Sequence, residues 1–344
     1  MRNKIINHIV LAATVAVALS SVSCGGREEE GPRSIAVFVP GVLEGSPTYE
    51  MMDAGVRKAA ETDGVAVKTV EGGFDQADWY GQVTALASEG RYELIVTSNP
   101  AMSEICAEAA VSYPNQDFLV LDGSGLAGPS VSEVRYDHRE QAFLIGYFAA
   151  LTTLSEDLDG SNDAPRVGFI TGQEYPQLKK EILPGFEIGL HAVDPAAELE
   201  FRVLGNWYDA EKARELAAGL YADGVDVILT MAGSANQGVV AAAKEAGGYV
   251  LWFDTDGTDQ APGTILASSV VDQERAAEEW TALWLNGELE RGDSTLVGVR
   301  EGYVDFPMDG RLVRRHVPED MLDAMDEILD GMRSGELNLR VLDD

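Results

Sequence analysis

Ile35-Ala36-Val37-Phe38-Val39 is followed, after a loop holding Gly41, Gly45 and Pro47, by Tyr49–Glu61, where Met52, Val56 and Ala59-Ala60 share one helical face. The first run is continuous and apolar, as a strand buried on both faces must be, and the second repeats every three to four residues. The pair then recurs. Val65–Val70 reads as a strand and Ala77–Ser88 as a helix; Leu94–Thr97 and Met102–Ser112 repeat the unit. Phe118–Leu121 and Val131–Tyr136 are further strands. This alternation predicts a parallel sheet covered by helices.

A polar break, Ser155–Pro165, interrupts the rhythm, which then restarts. Strands are expected at Val167–Ile170, Leu199–Val203, Val225–Thr230 and Tyr249–Phe253, with helices at Leu178–Val193, Ala210–Tyr221 and Gln237–Ala246. Two such series predict an α/β protein of two similar lobes with no residue-level repeat. Strand-like Ile265–Val271 and Leu296–Val299 return after the second series, so about three crossovers are expected, the later ones near Val270 and Tyr303. The expected lobes are 34–136 plus about 271–302, and about 137–270 plus 303–344.

The N-terminus reads as an export signal over residues 1–23. Arg2 and Lys4 precede the apolar run Ile9–Leu19, too short to span a bilayer comfortably, and small residues lead to Cys24. Ser20, Ser21, Ser23 and Cys24 resemble a bacterial lipoprotein box, with Ser21 where leucine is usual. Cys24 is the expected lipidation site, and residues 24–33 form a polar tether with nothing to bury. The protein is thus expected beyond the inner membrane, anchored on its periplasmic side. The only other cysteine, Cys106, lies on an apolar helical pattern and reads as a small buried hydrophobe. A formal charge of −33 excludes nucleic acid as a partner, because a polyanion would be repelled.

In doubly wound sheets ligands gather beyond the carboxyl ends of the strands. Those ends here are Pro40–Tyr49, Gly72–Asp75, Ser98–Pro100, Asp122-Gly123, Gly172–Tyr175, Gly205–Tyr208, Ala232–Asn236 and Asp254–Asp256. They are rich in aromatic, Asn and Asp residues and poor in cations, which suits a neutral solute with a flat ring and several hydroxyls. Candidate ligand residues are Tyr49, Phe74, Asn99, Tyr175, Asn206, Trp207, Tyr208, Asn236, Trp252, Asp254 and Asp256. Tyr49, Trp207 and Tyr208 stand among Gly, Ser, Pro and Asn, where packing does not ask for large rings, whereas Trp79, inside a helix, reads as core. Asp254-Thr255-Asp256 admits a metal pair, a nucleophile, a turn cap or acceptors for ligand hydroxyls; too few further ligands follow for a metal, which favours the acceptors.

Enzyme signatures are missing. Gly123-Ser124-Gly125-Leu126-Ala127-Gly128 matches the dinucleotide fingerprint, but Pro129-Ser130 and a strand follow where the motif requires a helix, so no cofactor is expected. There is no nucleophile elbow, phosphate-cradling lysine loop or zinc-binding His-Glu-x-x-His, and no metal-ligand spacing. His138, His191 and His316 read as caps, surface or packed histidines.

Several pieces together resemble the basic membrane protein family. They are Ser98-Asn99-Pro100, Tyr113–Phe118, Glu140–Tyr147, Pro184–Gly189 and Phe253-Asp254-Thr255-Asp256. The resemblance implies a two-lobed periplasmic-binding fold and a substrate-binding lipoprotein of an ABC importer, with permease and ATPase subunits as partners and no enzymatic activity. Many members bind purine nucleosides. This chain departs at Pro40–Tyr49, Gly205–Asp209 and Trp252-Phe253, where its larger walls look more like the spirochaete riboflavin-binding branch. Riboflavin or a nucleoside is therefore the expected ligand, with Asp254 or Asp256 gripping its hydroxyls; a ligand-sensing module would have the same lobes.

Overall fold

The computed structural model describes residues 33–340 apart from 127 and 163. The export signal, Cys24, most of the tether and Ala127 of the glycine loop lie outside the described residues.

The chain opens with β1 (Ser34–Val39), α1 (Pro47–Asp63), β2 (Ala66–Glu71), α2 (Gln76–Ser88), β3 (Leu94–Ser98) and α3 (Pro100–Ser112). It continues through β4 (Asp117–Leu121), β5 (Val131–Tyr136), α4 (His138–Thr153), β6 (Arg166–Thr171), α5 (Leu183–Val193), β7 (Glu198–Val203) and α6 (Ala210–Ala222). Then come β8 (Val227–Met231), α7 (Asn236–Ala246), β9 (Tyr249–Asp254), β10 (Ile265–Val271) and α8 (Gln273–Leu285). Last are β11 (Ser294–Val297), β12 (Val304–Asp305), α9 (Val313–His316) and α10 (Glu319–Ser334).

These strands form two six-stranded sheets, ordered β11-β5-β4-β3-β1-β2 and β12-β10-β9-β8-β6-β7. Every strand pair is parallel except β10 with the two-residue β12. The central strands β1, β3, β4 and β8 are mostly apolar and buried along nearly their whole length because helices cover both their faces, while edge strands β2 and β7 are partly exposed. Trp79 and Cys106 are buried in the core beneath the first sheet, as their helical spacing predicts.

Each sheet draws on distant parts of the chain. After β5 the chain enters α4, which packs on α5 and on strands of the second sheet. After β10 it enters α8, which packs on α1 and β4; after β11 it reaches β12. The three passages lie side by side. The Asp137 amide donates to the Val297 carbonyl at 2.8 Å, and the Asp272 amide to the Tyr303 carbonyl at 2.9 Å. Asp137 and Asp272 also cap α4 and α8, accepting from the Glu140 and Arg275 amides.

The expected helix Leu178–Val193 begins with a wide π turn over Leu178–Ile182 before the α-helix proper. Pro184 is the reason. It has no N–H for the carbonyl four residues earlier, and Lys180 instead offers that carbonyl to the Arg139 guanidinium at 3.3 Å. Helix α5 then meets α4 almost backbone to backbone. A Cβ at Gly146 would strike the Phe186 carbonyl, and one at Gly189 the Phe143 carbonyl. Glycine here is a packing requirement, which explains two glycines of the Glu140–Tyr147 and Pro184–Gly189 stretches.

Candidate functional site

Among the described residues three non-glycine positions adopt positive φ: Asn99 at 118°, Asp122 at 54° and Asp254 at 70°. Each stands at the carboxyl end of a strand, β3, β4 and β9 respectively. Left-handed backbone at Asp or Asn costs of order 1 kcal/mol and persists only where surrounding structure holds it.

Asp122 belongs to the first lobe and Asp254 to the second, and a short relay joins them. His138 Nε2 lies 2.6 Å from Asp122 Oδ1, and its Nδ1 lies 2.9 Å from Gln141 Oε1. Gln141 Nε2 donates to Asp254 Oδ1 at 3.2 Å and to the Ser269 carbonyl at 3.1 Å. Beside it, the Tyr136 hydroxyl donates to Gln273 Oε1 at 2.6 Å, and Gln273 Nε2 donates to Ser98 Oγ at 2.8 Å. His138 is flanked by Tyr136, edge-on at 6.3 Å, and by Phe253, stacked at 6.4 Å.

The electrostatics follow from burial and these pairings. Burial alone would lower the His138 pKa, but the Asp122 carboxylate outweighs it and, with Asp254, raises it to about 10. Burial pushes Asp254 up to about 6, against the pull of His138. Tyr49 is pushed up to about 12 by burial, with the Asp122 charge adding and a hydrogen bond from Asn99 opposing. Burial likewise holds the Tyr175 phenol well above its ordinary value, and Asp254 and Asp122 reinforce it. At neutral pH the floor of the site thus carries an imidazolium, two carboxylates and neutral phenols. The second oxygen of each carboxylate accepts no hydrogen bond among the described residues.

Aromatic rings stand on both sides. In the first lobe Tyr49 and Phe74 flank Gly41, whose missing side chain leaves room for both rings. In the second, Trp207 lies against Gly172 and is tilted at 48° to Tyr175, with centroids 6.3 Å apart. The outer rings are accessible: Phe74 is 77% exposed, Trp207 39% and Tyr208 75%. Gln177 Nε2 donates to the Gly123 carbonyl at 3.4 Å, a direct contact between the lobes.

The sequence candidates therefore divide. Tyr49, Asn99, Tyr175, Trp207 and Asp254 converge on this region. Asn206 Oδ1 caps the turn into α6, accepting from the Tyr208 and Asp209 amides. Asn236 is buried with its Oδ1 taken by the Thr230 hydroxyl and the Ala232 amide. Asp256 Oδ1 takes three local bonds, from the Thr258 amide and hydroxyl and from Ser268. Trp252, 7% exposed, packs in the core of the second lobe. Asp122, His138 and Gln141 were not among the candidates; Asp122 carried a signal, as the acidic residue ending an apolar strand.

Residues 33–330 match the family profile described as ABC transporter substrate-binding protein PnrA-like. Basic membrane protein A of Borreliella burgdorferi is 23% identical over 335 residues, covering 95% of this chain and 94% of that protein. A Lactococcus lactis protein described as ABC transporter nucleoside-binding protein BmpA is 21% identical over 264 residues, covering 71% of each. Among solved structures, an ABC transporter solute-binding protein from Aeropyrum pernix superposes with a TM-score of 0.77 at 21% identity, covering 89% of this chain and 93% of that one. That likeness confirms two parallel-sheet α/β lobes of the periplasmic-binding type. The family match extends across both sheets and every residue of the Asp122–Asp254 relay, and the chain therefore belongs to the PnrA-like family of ABC transporter substrate-binding proteins.

Proposed function

We propose that the protein captures a nucleoside-like heteroaromatic polyol between its lobes and hands it to the permease and ATPase subunits of an importer. The observation that carries this is the pair of carboxylates, Asp122 and Asp254, each with one oxygen held by the relay and one uncommitted, set between aromatic walls. A carboxylate oxygen is the natural acceptor for ribose or ribityl hydroxyls, and the rings suit the faces of a heterocycle. The description of the Lactococcus relative as nucleoside-binding supports the nucleoside as first reading. Riboflavin is the second reading, favoured by the Tyr175–Trp207 wall, which offers two large rings on one side of the site.

Capture of this kind needs lobes that hinge at three passages, here the segments around Asp137, Asp272 and 298–303, with lobes of 34–136 plus about 271–302 and about 137–270 plus 303–344. Cys24 would hold the protein at the membrane, and Cys24→Ala should release it into the soluble fraction with affinity unchanged. The deciding experiment is mass spectrometry of what heat releases from the purified protein, followed by calorimetry with inosine and riboflavin. A purine nucleoside or a flavin is expected. An organic anion, or a sugar lacking a ring system, would overturn the reading.

A further inference from the structure

The amide of Gln141 fixes more than its own orientation. Its Nε2 faces two acceptors, Asp254 Oδ1 and the Ser269 carbonyl, so the opposite oxygen must be the atom facing His138 Nδ1. The Ser269 carbonyl can only accept, which rules out the flipped amide. His138 Nδ1 therefore has to donate. Its Nε2 faces the Asp122 carboxylate and has to donate as well. With Asp122 ionised, so that it can only accept, this hydrogen-bond geometry requires both ring nitrogens to carry protons.

We propose that His138 is the positioning residue of the ligand site: a doubly protonated imidazole that aligns Asp122 of one lobe and, through Gln141, Asp254 of the other. The inference rests on the reading of those carboxylates as hydroxyl acceptors. Both sit on left-handed backbone, and each needs a partner on one oxygen to present the other. His138 supplies this from the first residue of α4, at the passage between lobes, so one side chain sets the acceptors of both. The charged groups around the ring are Asp122, Asp254, Glu181 of the turn before α5, and the neighbouring Asp137; Arg135 on β5 acts on Glu181. Acids dominate that surrounding, and they keep the imidazole charged through the neutral range, in line with its upward pKa shift.

The test begins with ligand-free protein. Nitrogen NMR should show both His138 ring nitrogens protonated at pH 8, assigned by their loss in His138→Gln; a neutral tautomer overturns the proposal. Carbon NMR should place the Asp254 carboxyl midpoint near 6 in the native protein and higher in His138→Gln, since the cation that stabilises its carboxylate is gone. An unmoved midpoint also overturns it. Calorimetry with inosine and riboflavin then reads the site itself. His138→Gln should bind roughly 10–100-fold more weakly, with its acid limb displaced upward, and His138→Lys should recover most of the loss. Undiminished affinity in His138→Gln overturns the positioning role. If neither solute binds the native protein, the functional reading falls, while the two NMR measurements still decide the role of His138.

Discussion

Asp254→Asn is the sharpest probe of the site because it changes one charge and almost nothing else. Asparagine tolerates left-handed backbone, so the φ of 70° survives, and its carbonyl can still accept from Gln141. What disappears is the uncommitted carboxylate oxygen, replaced by an N–H that cannot accept a ligand hydroxyl. A hydrogen bond to a charged acceptor is worth about 1.5–3 kcal/mol, so affinity should fall roughly 10–100-fold at pH 7.5. The pH dependence is a second signature. With its pKa raised to about 6, Asp254 is about nine-tenths protonated at pH 5, and native affinity should drop about tenfold between pH 7.5 and 5 from this group. In Asp254→Asn that acid limb should vanish. Calorimetry at the two pH values reads both effects. Equal affinity of variant and native protein at pH 7.5, or an acid limb that persists in the variant, would refute the carboxylate's role.

Other outcomes follow from the same geometry. Trp207→Ala should weaken binding roughly 3–10-fold by removing a stacking face, whereas Tyr208→Ala, 75% exposed and outside the ring pair, should not; titration calorimetry compares them. Glu140 is buried beside Asp137, and burial first, then that like charge, raises its pKa from 4.5 to about 7. A raised acid pKa makes folding less favourable as pH climbs from 4.5 through 7. Glu140→Gln should therefore gain stability relative to native protein across that window, on the order of 2 kcal/mol by pH 8, read as urea midpoints. Gly189→Ala should cost about 1–3 kcal/mol by forcing α5 away from the Phe143 carbonyl, with ligand affinity little changed if the helices separate without moving the relay.

The alternation from Ile35 to Phe253 was enough to read both sheets, because a strand covered on both faces must be mostly apolar. The return of Ile265–Val271 and Leu296–Val299 signalled that the chain passes between lobes, since neither run is needed to finish the second series. The wide turn before Pro184 was readable only in hindsight, from a proline four residues after an otherwise helical lysine. Within the site, Tyr49, Trp207 and Asp254 were legible by place, being bulky or charged residues at strand ends. Asn206, Asn236 and Asp256 had the same credentials, but their short side chains turn back onto neighbouring backbone, and residue type does not say which way Asn or Asp will bond. Phe74 and Tyr208 reach the outer rim. His138 and Gln141 were the hardest, because at the start of α4 they look like ordinary helix residues. Only the meeting of β4 and α4 with β9 turns them into a relay, and the contact from Gln141 to Asp254, 113 residues on, leaves no local mark.

The left-handed aspartates carry a cost that has an evolutionary side. Glycine at Asp254 would relieve the left-handed backbone and remove a carboxyl that burial penalises, whereas at Asp122 it would strip His138 of its counter-ion. A population of variants screened for heat resistance alone should thus drift toward Asp254→Gly, and lose solute capture as it hardens. Thermal tolerance and function pull in opposite directions at this one codon, so its retention in a lineage would be a record of selection for binding.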